Sequence, residues 1–264
     1  MAGLASKRRS GLSAFGPRRF VTPLVLIGIW QALATSGYFR PIFMPPLEEI
    51  ASRLVDLLKN GVLLEAAAVS LLTLMAGFMV AVVLGITIGL LVSTLGFAEQ
   101  IAVRFISALL ATPAVAWTPL FLLWFGLGAP ATVALIIFVS SVPIALNTWS
   151  GIRNVDPIFL RVSKSMGVGG ARRFLKVIMP AAFASILTGL RLGFARGWHA
   201  LVAGELLAGA SVGLGVLIPR GRVFLDTPTM IVGVLGIALF AYVTERLIFE
   251  QVEQRMLRRR GLAR

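Results

Sequence analysis

From Ala66 to Leu95 the sequence carries no charged residue. In lipid, every backbone N–H and C=O must be satisfied within the protein, and a lone segment manages this only as a helix. About 20 residues cross the hydrocarbon core, so a helix over roughly 65–95 crosses with some tilt. Ala81, Gly85 and Gly89 recur within it at four-residue spacing. Such a face of small residues lets a second helix approach closely.

Five other apolar runs read the same way: Phe20–Gly37, Ile101–Leu127, Ala131–Trp149, Ala184–Ala208 and Pro228–Phe249. Pro113 and Pro119 interrupt the second of these and Pro143 lies inside the third, which predicts local kinks. The expectation is an all-α membrane protein with about six transmembrane helices. They form one domain over residues 20–250, between a basic N-terminus (1–19) and a basic C-terminal tail (251–264). Composition agrees: 58% of residues are hydrophobic and 14% charged, which leaves no room for a sizeable soluble domain. Ala32-Leu33-Ala34 has a faint likeness to a signal-peptidase site; an uncleaved anchor is preferred, because every later segment also stays in the membrane. Pro41, Pro45 and Pro46 end the first span. Leu47 to Lys59 is then amphipathic, suited to a short connecting helix at the membrane surface or packed on the bundle.

The net charge of +14 raises nucleic-acid binding, but cytoplasmic loops of membrane proteins accumulate the same residues. With both termini in the cytoplasm, the inner segments hold Lys7, Arg8, Arg9, Arg18, Arg19, Arg104, Arg153, the Arg161–Lys176 run and the basic tail. The outer segments hold only Arg40, Arg53, Lys59, Arg220 and Arg222. This asymmetry predicts a multi-pass protein of the bacterial cytoplasmic membrane with no nucleic-acid partner. The absence of cysteine and the single histidine exclude disulfides, thiol catalysis and Cys- or His-rich zinc sites. No P-loop is present. The few carboxylates form no acid–base pair in sequence, and His199 has no evident dyad partner. The chain reads as non-enzymatic by itself, with no metal and no cofactor of its own.

One polar stretch, Arg161 to Pro180 (RVSKSMGVGGARRFLKVIMP), cannot lie in lipid. Gly167 breaks a short helix carrying Val162 and Met166 on one face, with Arg161, Ser163, Lys164 and Ser165 around it. Val168 follows, and Gly169-Gly170 allow a sharp turn. Ala171 to Met179 then reads as a second helix ended by Pro180. Such a segment is either an ordinary basic loop or a handle by which a soluble partner moves the bundle.

The stretch resembles the signature loop of ABC-importer permeases, E-A-A-x-x-x-G, nine residues, then I-x-L-P. Gly167 holds the glycine place, and Val177-Ile178-Met179-Pro180 the end. Arg161, Val162 and Ser163 stand where the family has E-A-A. FMPPLEEIASRL, ATPAVAWTPLFLLWFGLGAPATVALI (Ala111–Ile136), NTWSGIRNVDP (Asn147–Pro157), ILTGLRLGFARGW (Ile186–Trp198) and AGELL (Ala203–Leu207) resemble the nitrate/sulfonate/taurine branch in the same order. The resemblance implies a type I ABC importer-like permease, homodimeric, with two cytoplasmic ATPases that bind ATP and Mg, and an extracytoplasmic substrate-binding protein. It also implies a cytoplasmic coupling loop over about 150–183, in which Arg161–Gly169 contact the ATPase.

Charges deep in a span are functional candidates. Arg191, Arg196, His199 and Glu205 all fall on the fifth span. Arg191 and Glu205 are about 21 Å apart along a helix, and Arg196 and Glu205 face opposite ways, so each needs a partner elsewhere. Arg196 and His199 are the leading candidates for passing an anion, followed by Arg191 and Glu205. Thr112 and Trp117 of the third span stand behind them, with helix packing as the rival role for the tryptophan. The residues alone also permit a secondary transporter or channel, or a non-transporting scaffold or sensor.

Overall fold

The computed structural model describes residues 18–250, and every regular element among them is helical. In chain order these are α1 (Arg18–Thr35), α2 (Leu47–Lys59), α3 (Val62–Val92), α4 (Glu99–Ala111), α5 (Ala114–Phe125) and α6 (Ala129–Arg153). Then come α7 (Pro157–Ser165), α8 (Gly170–Arg173), α9 (Met179–Leu207), α10 (Leu217–Val223) and α11 (Thr227–Glu245). The basic segments expected over 1–19 and 251–264 lie outside the described residues, except for residues 18 and 19.

Helix α6 is the axis of the bundle, packed along its length against α3 and α9. Of its apolar span, 61% is buried inside the protein, against 17–33% in the other long spans. The others therefore turn most of their surface to lipid. The core joins Leu74 and Phe78 of α3, Phe121 of α5, Leu135, Ile136 and Ile144 of α6, and Phe194, Trp198 and Leu201 of α9. Glycines set the spacing. A Cβ on Gly85 would stand 2.7 Å from Ile144 Cβ, and one on Gly89 2.6 Å from the Ala145 carbonyl. Helix α9 carries its own stripe: a Cβ on Gly193 would stand 2.9 Å from the Ser140 carbonyl, and one on Gly204 2.5 Å from Thr132 Oγ1. Without a hydrophobic force between helices in lipid, such close backbone approach is the main source of packing energy.

Among the described residues, four helical segments are long and apolar enough to cross a membrane: Val62–Val92, Ala129–Arg153, Gly170–Leu207 and Thr227–Ile248. The apolar part of the first, Val21–Thr35, is shorter. The expected third span differs most, because α4 and α5 meet at 97°. Thr112 has extended backbone (ψ 128°) and Pro113 begins α5 as its N-cap. The proline ring disfavours helical geometry at the residue before it, and at Thr112 the chain takes the extended alternative. Pro119 and Pro143, by contrast, stay within helices. Pro180 corrects a further expectation. Rather than ending a helix it sits in the first turn of α9, after a π-helical stretch over Phe174–Ile178 that joins α8 to α9. Proline has no N–H to offer an interior ladder, and it is tolerated in a first turn and where the ladder shifts register.

The two ends of the bundle are distinct. At one, Gln31 donates to Glu48, the Leu47 N–H donates to Gln31 Oε1 (2.9 Å), and Trp30 Nε1 donates to the Pro45 carbonyl (3.1 Å). Arg53 of α2 pairs with Asp226, whose Oδ1 accepts from the Thr229 N–H and caps α11. Ile50 of α2 is buried against the bundle, while Leu54 and Leu58 stay exposed. Burial works against the Asp226 charge, but hydrogen bonds from Thr229 and the Arg53 guanidinium outweigh it and hold the carboxyl below its ordinary range. The opposite end carries α7.

Candidate functional site

Helix α7 is built to stand alone. Asp156 caps it by accepting from the Ile158 N–H (2.8 Å), and Pro157 opens its first turn. At its end the Gly167 N–H donates to the Lys164 carbonyl (3.0 Å) and the Val168 N–H to the Ser163 carbonyl (2.9 Å). This paired closure needs a left-handed residue, which Gly167 supplies at φ +69°. Ser163 is buried, its Oγ donating to the Leu160 carbonyl, and Ser165 Oγ donates to the Arg161 carbonyl. Val162 and Met166 are 51% and 74% exposed. With Ile158, Phe159, Val168 and Val177 they line an apolar cleft of about 680 Å³, with Arg172 and Lys176 also on its wall. Arg161, Lys164 and Gly169 are exposed nearby.

A second cavity, of about 620 Å³, lies where the α4–α5 break faces α9. Thr112, Pro113, Ala114 and Val115 form one wall. Arg196, His199, Val202 and Leu206 form the other. Arg196 and His199 stand one helical turn apart on a shared face of α9. No hydrogen bond or ion pair joins either to another described residue. The start of α5 borders the same space, and a helix start carries a partial positive charge. Thr112 Oγ1 donates to the Ala108 carbonyl (3.2 Å). The chemistry gathered here is a guanidinium, an imidazole and a helix start among apolar side chains, which suits a small anion.

The remaining candidates lie elsewhere. Arg191 Nε pairs with Glu245 of α11 at 3.1 Å. Glu205 is buried and lines a separate cavity of about 210 Å³. Its carboxylate accepts from Ser70 Oγ (2.5 Å) and from the Gly215 N–H (2.6 Å), while the Leu214 N–H donates to Ser70 Oγ (2.9 Å). This fastens the loop after α9 onto α3. Trp117 packs edge-on against Phe138 with ring centroids 4.9 Å apart, and its Nε1 is buried without a hydrogen bond. Sequence reasoning missed Glu99, which binds Arg153 and Trp149. It also missed the α9 glycine stripe, although the Gly189, Gly193 and Gly197 spacing was visible.

The described residues thus form a membrane helical bundle with a broken span, an open cleft holding Arg196 and His199, and a capped helix at one end. Residues 81–258 match the family described as "Binding-protein-dependent transport system inner membrane component", and the chain belongs to that family of ABC transporter permeases. It is 31% identical over 229 residues to the taurine transport system permease protein TauC of Escherichia coli (strain K12), covering 85% of this chain and 83% of that one. It is 31% identical over 201 residues to the nitrate import permease protein NrtB of Leptolyngbya laminosa, covering 74% and 71%. Its fold is similar to the MetNI methionine ABC transporter in inward-facing conformations, with a TM-score of 0.57 at 13% identity over 77% of this chain and 97% of that one.

Proposed function

We propose that this chain forms the solute pathway of an importer for small solutes with an anionic group, of the nitrate, sulfonate or taurine-like kind, driven by a separate ATPase. The observation that carries the reading is the cavity where Arg196, His199 and the start of α5 converge with no acidic partner among the described residues. An unpaired cation in a span costs about 2.5–3.5 kcal/mol even on the mildest scale. A passing anion offsets that cost, so the arrangement favours negative solutes. The likeness to permeases named for taurine and nitrate supports the same class. Both termini and α7 lie in the cytoplasm in this reading. Residues Arg161–Gly169 dock on one of two ATPase subunits, which hold the ATP and Mg. A second copy of the chain completes the pathway, and a substrate-binding protein delivers solute to the end carrying α2 and α10. Nucleotide-driven closure then pushes on α7 and switches the bundle between two states.

The test is ATP-driven uptake into proteoliposomes holding the complete complex. Removing a charge-assisted hydrogen bond costs about 1.5–3 kcal/mol, so Arg196→Gln lowers taurine or nitrate uptake by about ten- to a hundredfold. Assembly with the ATPase stays intact. Uptake at the original rate by that variant overturns the anion pathway.

A further inference from the structure

The end of the bundle that carries α7 holds an ion pair in which the carboxylate is buried and the Arg153 guanidinium side is half exposed. Glu99, the first residue of α4, is only 6% exposed. Its Oε1 accepts from Trp149 Nε1 and Arg153 Nε, and its Oε2 accepts from Arg153 Nη2. Trp149 and Arg153 form the last turn of α6, and α7 begins four residues after Arg153. The other end of α4 is Ala111, which lines the Arg196–His199 cavity beside Thr112 and Pro113. A bidentate guanidinium–carboxylate contact fixes direction as well as distance. Helix α4 is therefore clamped at the root of α7 and ends at the cavity wall, with the 97° break as its joint.

The geometry points to Glu99, Trp149 and Arg153 as the positioning residues that transmit movement of α7 through α4 to the solute cavity. This rests on the proposed coupling of α7 to an ATPase. When α7 is displaced, the end of α6 moves with it, and the clamp obliges α4 to follow. The α4–α5 joint then opens or closes the wall opposite Arg196. A pair that only stabilised the fold would lower every activity together. A transmitting pair separates hydrolysis from uptake.

The experiment compares wild type, Glu99→Gln, Arg153→Gln and the exchanged pair Glu99→Arg/Arg153→Glu in the complete complex, measuring ATP hydrolysis and solute uptake in the same vesicles. The expected result is hydrolysis within about twofold of wild type and uptake per ATP reduced at least tenfold in the single variants. The exchanged pair regains part of the loss. Uptake and hydrolysis falling in proportion would overturn the inference. Should the variants fail to assemble, the wild-type pair is tested directly. The chain has no cysteine, so cysteines introduced at Ile101 and Asn154, or at Ile101 and Leu192, carry the spin labels of each copy, and the within-copy separation is read by diluting labelled with unlabelled chain. On nucleotide trapping the first separation stays constant while the second changes; equal changes in both would also overturn the inference. A wild-type complex with no ATP-driven uptake is a different failure, that of the proposed function itself.

Discussion

Gly89→Ala tests the packing that places the cavity. The new Cβ would lie 2.6 Å from the Ala145 carbonyl oxygen and 2.6 Å from Thr148 Cβ. The first is backbone and the second is the root of a side chain, so neither can swing aside. Ordinary contact begins near 3.4 Å, a shortfall of about 0.8 Å. Helices α3 and α6 must separate by that amount, or one must rotate. Overpacking of this kind costs about 1–3 kcal/mol. For a domain of this size each kcal/mol lowers Tm by about 2–4 °C, giving a fall of about 2–12 °C. Gly28 is the control, because a Cβ there meets nothing within 4 Å. Thermal unfolding of the detergent-purified protein reads both. Gly28→Ala leaves Tm unchanged or raised, and Gly89→Ala lowers it. An unchanged Tm for Gly89→Ala would refute the claim that glycine contact sets the α3–α6 spacing.

Two other predictions concern the end that carries α2 and α10. Glu205→Ala strands Ser70 and the Gly215 N–H, each at about 1–3 kcal/mol, so hydrogen exchange at Leu214 and Gly215 accelerates at least tenfold. Unchanged protection would contradict the fastening role. Asp226 is held below its ordinary range, so its cap and its Arg53 pairing contribute fully above the unfolded carboxyl value of about 3.9. That contribution disappears as pH falls through the lower folded value. Thermal stability therefore declines below about pH 4. Asp226→Asn keeps a capping oxygen but loses the Arg53 pairing, so it starts at most about 1 kcal/mol lower and shows a shallower acid decline; identical pH profiles would refute the assignment.

The spans were legible because burial in lipid leaves a one-dimensional signal. The helix expected over 65–95 is α3, Val62–Val92, displaced by three residues. Gly167 was legible too, since only glycine adopts a left-handed helix end at no steric cost. The 97° turn at Pro113 could be anticipated only as a kink, because its angle depends on what α5 packs against. Pro180 misled because a register shift just before it is invisible in composition. The ionic contacts were hidden for a plainer reason: Glu205 and Ser70 are 135 positions apart, and Arg191 and Glu245 are 54 apart. No periodicity along one helix names a partner on another. Arg196 and His199, three residues apart on one helix, needed no such partner to be placed on one face.

Coupling through α7 is a mechanical event, and a single cysteine in place of Met166 reports on it. The account predicts that a membrane-impermeant maleimide reaches Met166→Cys only from the cytoplasmic side of inverted vesicles, and that the assembled ATPase then shields it. Labelling from the outer face, or equal labelling with and without the ATPase, would contradict it.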